Sequence, residues 1–242
     1  MYFVDIGNSR IKIKSHTGND WREMLNTDTA NARGAAEFIE RKGEHAIGVS
    51  VVPEATAAMS EVLASDNSEG KKRMEWITIA DVPRKTLDYE SPESLGMDRY
   101  MACLGARSVA GKAVIVVDAG TACTIDYMDE SGIYRGGVIM PGIRLWEQAM
   151  QQYAPNLPQV VREFPHRWPG KSTEDSLRWG LSGAFATAVN GIIQRYDHLA
   201  ALYITGGDAH WLARHTERNG KIDDNLVFYG LQKLIEARRW FG

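Results

Sequence analysis

Two stretches decide how this chain is read: residues 1–14, MYFVDIGNSRIKIK, and residues 113–127, AVIVVDAGTACTIDY. Each has an apolar run, then Asp-x-Gly followed by Asn or Thr, then a segment in which apolar and polar residues alternate. A short apolar run bounded by a turn signal reads as a buried strand, and the alternation after it as a half-buried strand folded back on the first. Glycine in such a turn lets the backbone come close to a ligand, and the exposed N–H groups with the Asn or Thr side chain can hold phosphate oxygens. The aspartate at the strand end faces the same space. A carboxylate beside phosphates is repelled unless a cation such as Mg²⁺ lies between them. One such turn is an ordinary hairpin. Two matched copies, Asp5 superposed on Asp118 about half a chain apart, point to two lobes of similar topology, residues 1–110 and 111–242, that together make a phosphate clamp.

Outward from these turns the chain alternates strand and helix signals. Strands are expected over 2–6, 10–14 and 45–51, with helices over 31–41 and after Pro53. SDNSEGKKR (65–73) reads as a solvated loop, and YESPESLGMDR (89–99) as a loop leading into a helix. The second lobe repeats the pattern with hairpin strands through TACTIDYM and GIYRGGVIMPG and a helix from Ile143 to about Gln152. Pro155, Pro158, Pro165 and Pro169 mark an irregular excursion. Residues 172–199 show one long helical pattern, with Ser172 or Thr173 as cap and Glu174 and Asp175 where the helix dipole favours them. Its apolar residues Leu177, Leu181, Ala184 and Phe185 are either core or a self-complementary contact. LAALYITGGDAHWLARH (199–215) reads as strand, glycine turn and a helix capped by Asp208, and a last strand near 226–228 precedes a C-terminal helix.

Composition narrows the function classes. With 28 Lys plus Arg against 31 Asp plus Glu, a net charge of -3 and no long basic cluster, nothing electrostatic favours a nucleic acid or an anionic membrane as partner. No apolar run approaches the ~20 residues of a membrane span, so a cytoplasmic location is expected. The two cysteines, Cys103 and Cys123, have no metal-ligand spacing and are expected as reduced thiols.

Three further motifs carry chemistry. In TGGD, Gly206 and Gly207 lie between strand and helix, where a flat ring can rest on the backbone or where the connection is merely tight. GGVIMPG (136–142) is either ligand-facing or a bulged strand followed by Pro-Gly before a helix. In GMDR (96–99), Asp98 and Arg99 stand where a loop becomes a helix. Phosphoryl transfer to a hydroxyl needs a carboxylate aimed at that hydroxyl and a positive group to offset developing charge, and this pair offers both. The plainer reading of Asp98 is an acid favoured by the helix dipole.

DIGNSRIK, GMDR, DAGTACT, GGVIMPG and TGGD, in this order and over nearly the whole chain, resemble the type III pantothenate kinases of bacteria. The resemblance implies an α/β fold of two ribonuclease-H-like lobes around a nucleotide cleft, the actin-like ATPase fold shared with acetate and sugar kinases and heat-shock ATPases. It implies ATP-dependent phosphorylation of pantothenate, the first step towards coenzyme A. It further implies that Asp5, Ile6, Gly7, Asn8, Ser9, Arg10, Ile11 and Lys12, with Thr121, Gly206 and Gly207, contact ATP, and that Asp98 is the general base. Tyr89, Gly96, Met97, Asp98 and Arg99 would surround pantothenate, and Thr173 would reach that site from the second subunit of a homodimer. Mg²⁺ would accompany ATP, and Asp118 would help to hold a monovalent cation, K⁺ or NH₄⁺. Ser9 stands where the family commonly has Thr and keeps the hydroxyl. Two alternatives belong to other classes: a non-enzymatic ATP-binding accessory or regulatory protein, and another small-molecule kinase of the superfamily.

Overall fold

The computed structural model describes residues 1–18, 20–64 and 73–241, with side chains as far as Arg238. Of the loop expected over 65–73, all but Arg73 lies outside the described residues. The chain forms two compact units, one of residues 1–109, 132–134 and 225–242, the other of 110–131 and 135–224.

The first unit is built on a five-stranded sheet of β1 (Tyr2–Ile6), β2 (Arg10–Thr17), β3 (Asp20–Asp28), β4 (Ala46–Ser50) and β5 (Met74–Trp76), in the order β3-β2-β1-β4-β5. β1 pairs antiparallel with β2 and parallel with β4. Both strands beside β1 are hydrogen-bonded to it, which is why its sequence is an almost unbroken apolar run with Val4 and Ile6 fully buried. The crossover to β4 runs through α1 (Ala32–Lys42), whose buried Ala32, Ala35, Ala36 and Ile39 fall on one face at helical spacing. Gly43, at φ 66°, ends it in the left-handed conformation that favours glycine. α2 (Pro53–Ala64) packs on α1, and α3 (Met97–Ala110) follows the loop that ends in GMDR.

The second unit repeats the plan. β6 (Val114–Ala119), β7 (Ala122–Met128), β8 (Tyr134–Pro141), β9 (Ala201–Thr205) and β10 (Gly220–Ile222) lie in the order β8-β7-β6-β9-β10, with β6 antiparallel to β7 and parallel to β9. Strand for strand this is the order of the first sheet, so the duplication expected from the two hairpins is present as two ribonuclease-H-like sheets. Ile115, Val117, Ile125 and Ile204 pack with Phe185, Val189 and Leu212 to form its core. The helices are α4 (Ile143–Tyr153), α5 (Thr173–Arg178), α6 (Ala184–Ile193) and α7 (Ala209–Ala213). Ser172 caps α5, its Oγ accepting the Asp175 N–H at 3.1 Å. Phe185 is 1% exposed in this core, which settles its part of the apolar stripe as interior.

Four local expectations differ from the structure. The long helix of 172–199 is interrupted by a π-helical stretch, Trp179–Gly183, and ends at Ile193. Residues 226–228 are not a strand but the first turn of α8 (Leu226–Phe241), in which Leu226, Phe228, Leu231 and Leu234 are buried; the last short strand is β10, further upstream. β3 and β5 were not anticipated, because β3 is polar along most of its length and β5 has three residues. Asp208 stands at the start of α7, but its side chain makes no capping bond.

α8 packs in the first unit. Lys14 on β2 donates to Asn225 Oδ1 at 2.6 Å and lies over the Phe228 ring. α3 and α8 touch backbone to backbone: a Cβ at Gly105 would overlap the Leu226 carbonyl oxygen, and one at Gly230 the carbonyl of Met101. Among the described residues no helix is long and apolar enough to cross a membrane.

Candidate functional site

In the first unit, Asp5 lies opposite Lys12 and Ile6 opposite Ile11, which leaves residues 7–10 to make the turn. The Gly7 N–H donates to the Arg10 carbonyl at 3.0 Å. Asn8, Ser9 and Arg10 are exposed, while Ile6 and Ile11 are buried and anchor the hairpin. Thr29, just past β3, holds the turn from behind: its Oγ1 donates to the Gly7 carbonyl at 2.7 Å and its N–H to the Ser9 carbonyl at 3.1 Å. Arg10 reaches across to Asp28 and Asn26. A Cβ at Gly7 would meet nothing closer than the Arg10 carbonyl oxygen at 3.7 Å. A side chain at position 7 would thus not crowd the turn, which carries two cationic residues, Arg10 and Lys12, near its end.

GMDR joins this turn through β4. The N–H of Val51, just beyond β4, donates to the Ile6 carbonyl at 3.1 Å, and Gly96 lies against Val51. Gly96 begins the first turn of α3, its carbonyl accepting from the N–H groups of Arg99 and Tyr100. Asp98 Oδ1 accepts the Arg99 N–H at 2.8 Å, and a Cβ at position 96 would press on that oxygen at 2.7 Å. Glycine there leaves the carboxylate room. Met97 and Arg99 are buried, Arg99 at 8% exposure, whereas Asp98 is half-buried. Tyr89 belongs to an aromatic group with Tyr134 and Tyr100 in the same unit, its centroid 5.9 Å from that of Tyr134. Thr86 Oγ1 hydrogen-bonds the Tyr100 hydroxyl at 3.0 Å, while burial, the larger effect, raises the phenol above its ordinary pKa.

The second unit gathers Asp118, Thr121, Gly206 and Gly207. Asp118 lies opposite Thr124 on β7 and beside Thr205 on β9. Its turn is one residue shorter than the first, Gly120 N–H donating to the Ala122 carbonyl at 3.2 Å. Two other segments press on it. The Gly142 N–H donates to the Thr121 carbonyl at 2.9 Å, and a Cβ at Gly142 would overlap the Gly120 carbonyl oxygen. Gly206 has φ 93°, and a Cβ there would overlap Asp118 Oδ1. At Gly207 a Cβ would meet only Arg144, at 3.9 Å, so this side of the turn can take a flat ligand against the backbone.

Behind the glycine turn lies a charged group that no local pattern signals. Asp208, 7% exposed, accepts from Arg162 Nη1 at 2.7 Å and lies 3.4 Å from the exposed Arg144. Arg162 also forks onto both carboxylate oxygens of Glu147, at 2.6 Å each. These bonds, that to Glu147 first, hold the Arg162 proton more tightly than usual. Thr173 is exposed at the start of α5, where it lines a cavity of about 340 Å³ with Met150, Leu157 and Leu177, three residues that also line a cavity with Glu147 and Arg162. Cys103 and Cys123 are both free thiols, and burial, then Asp118, push the Cys123 thiol up to about 12. Among the described residues no three His, Cys, Asp or Glu side chains gather as a metal site.

The model of the type III pantothenate kinase family matches residues 1–195. A type III pantothenate kinase of Dechloromonas aromatica is 33% identical over 241 residues, covering 96% of this chain and 97% of its own. That of Chlorobaculum tepidum is 33% identical over 253 residues, covering 96% and 92%. Among solved structures, a Campylobacter jejuni protein assigned to the Baf family of transcriptional activators superposes with a TM-score of 0.67 at 24% identity, covering 99% of both chains. A Sinorhizobium meliloti protein assigned as a 2-dehydro-3-deoxygalactonokinase gives 0.57 at 13% identity over 98% of both, and these two likenesses speak for the fold alone. On the family match and the identity along nearly its whole length, this chain belongs to the type III pantothenate kinases.

Proposed function

We infer that the chain transfers the γ-phosphoryl group of ATP to the primary hydroxyl of pantothenate, giving 4'-phosphopantothenate and ADP in the first step towards coenzyme A. The family match over residues 1–195 carries this reading. Its GMDR segment adjoins the end of β1 through Val51, which suits a base that must work beside a phosphate turn.

Asp98 takes the hydroxyl proton as the oxygen attacks the γ-phosphorus, while the bond to the bridging oxygen of ADP breaks. The buried Arg99 offsets the charge that develops, and Tyr89, Gly96 and Met97 complete the pantothenate contact. The open turn of residues 5–12 holds phosphate oxygens through backbone N–H groups, with Lys12 as counter-charge. Thr121, Gly206 and Gly207 hold the rest of ATP, where the space beside Gly207 admits a flat ring. The carboxylates of Asp5 and Asp118 are hard oxygen donors and suit cations that neutralise the triphosphate, Mg²⁺ arriving with ATP and K⁺ or NH₄⁺ near Asp118. Carboxylate oxygens are the donors such hard ions take, so Asp5 and Asp118 would be the residues to hold them. Thr173 serves the pantothenate site of a second copy in a homodimer, and the enzyme works in the cytoplasm.

A coupled ADP-release assay with ATP against pantothenate, pantetheine, glycerol and hexoses tests the reaction. Turnover that depends on pantothenate is expected. Turnover with a hexose alone points to another kinase of the superfamily, and ATP binding without any acceptor points to an accessory protein.

A further inference from the structure

The irregular segment between α4 and α5 is fastened beside the glycine turn by Arg162, which pairs with Asp208, and further along by Phe164, which stacks on His215. Asp208 is 7% exposed, and a carboxylate so buried needs a close counter-charge. Arg162 supplies it at 2.7 Å, whereas Arg144, 64% exposed and 3.4 Å away, is a loose second partner. The fork onto Glu147 of α4 fixes the plane of the Arg162 guanidinium, so Asp208 meets a donor that cannot swing away. Asp208 is in turn stitched to the second phosphate turn, its N–H donating to the Ala119 carbonyl at 2.9 Å. Gly206 and Gly207 are the two residues just before Asp208, and Gly206 rests on the Asp118 carboxylate.

We propose that Arg162 is a positioning residue for nucleotide binding: its ion pair with Asp208 sets where Gly206 and Gly207 stand relative to Asp118 and Thr121. The idea rests on the reading of those glycines as the adenosine contact. It has a consequence for specificity between substrates, because loss of the pair displaces the nucleotide contact while Asp98 and Tyr89, in the other unit, keep their places.

The test measures the affinity of a non-hydrolysable ATP analogue without pantothenate, together with KM for each substrate, in Arg162→Met, Arg162→Lys and Glu147→Gln. Arg162→Met should weaken the analogue and raise the ATP KM about tenfold, with kcat and the pantothenate KM changed less than about threefold. Arg162→Lys keeps a charge for Asp208 and should recover most of that loss. Glu147→Gln loosens the fork but leaves Arg162 beside Asp208, so its loss of ATP affinity should be smaller than that of Arg162→Met. If Arg162→Met does not fold, Asp208→Asn, which keeps the shape and removes the charge, carries the same expectation. Analogue affinity within twofold of wild type in Arg162→Met or its substitute overturns the proposal, as does a loss in Arg162→Lys equal to that in Arg162→Met. A wild type that binds the analogue but does not phosphorylate pantothenate defeats the kinase reading alone and leaves this test standing.

Discussion

The two Asp-x-Gly turns sit at matching places on matching sheets, yet the structure treats them differently. The first is open: Gly7 has no positive φ, a Cβ would fit, and the turn is braced from behind by Thr29 and at its side by Arg10, which reaches Asp28 and Asn26. The second is one residue shorter and enclosed, with Gly142 against its carbonyls, Gly206 against its aspartate and Asp208 tied to Ala119. The first turn carries cationic side chains at its flanks, Arg10 and Lys12; the corresponding residues of the second are uncharged. A duplicated fold thus has one turn whose packing leaves room for a Cβ at its glycine, and one whose glycines are needed for its own packing.

If the chemistry belongs to the unit with the open turn, Asp98→Asn should be the most damaging change. It keeps the shape but not the base, and a fall in kcat of ~10² to 10⁴ is expected while ATP analogue binding persists. A variant that retained more than half the wild-type kcat would remove Asp98 from this role.

The enclosure of the second turn predicts a contrast in stability. Gly206→Ala combines a φ that L side chains rarely adopt with an overlap onto Asp118, so a loss of about 2–4 kcal/mol is expected. Gly7→Ala should cost less than about 1 kcal/mol and show its effect in ATP affinity instead. Equal losses in chemical denaturation would break the distinction between the turns.

Removing a carboxylate at each turn sharpens the comparison further. Asp118→Asn should raise the K⁺ or NH₄⁺ concentration needed for half-maximal activity about tenfold with little change in Mg²⁺ demand, and Asp5→Asn should not. Full wild-type activity in Mg²⁺ with a bulky organic cation would rule out the monovalent site altogether.

A smaller effect concerns the thiol beside the enclosed turn. With the Cys123 thiol up to about 12, the folded chain keeps a proton that the unfolded chain releases above about 9, so its contribution to stability is intact at neutral pH and declines between pH 9 and 12. Cys123 should react with a thiol reagent at pH 8 only after unfolding; rapid reaction in the native enzyme would contradict its burial. Smallest of all, Arg10→Ala should change stability by less than about 1 kcal/mol, because its pair with Asp28 is exposed on both sides.

The sequence by itself determined what rests on local pattern. The apolar runs with Asp-x-Gly placed β1, β2, β6 and β7 and foretold the duplication; spacing and punctuation placed α1, α3 and α4; Gly96 and Asp98 stood visibly at a helix start. Family resemblance, carried by five short motifs, named the candidate residues. Only the tertiary structure decided the rest. β3 is polar because it is an edge strand bonded to β2 alone, so alternation gave little signal there. Leu226 to Phe228 read as a strand until the α3 backbone at Gly105 showed which helical face is buried. Thr29 behind the first turn, and Arg162 with Glu147 behind the second, left no trace in the sequence pattern. Local periodicity records which face of an element is buried; it does not record which distant side chain supplies the hydrogen bond or counter-charge there, because that partner is chosen by the folded path of the chain.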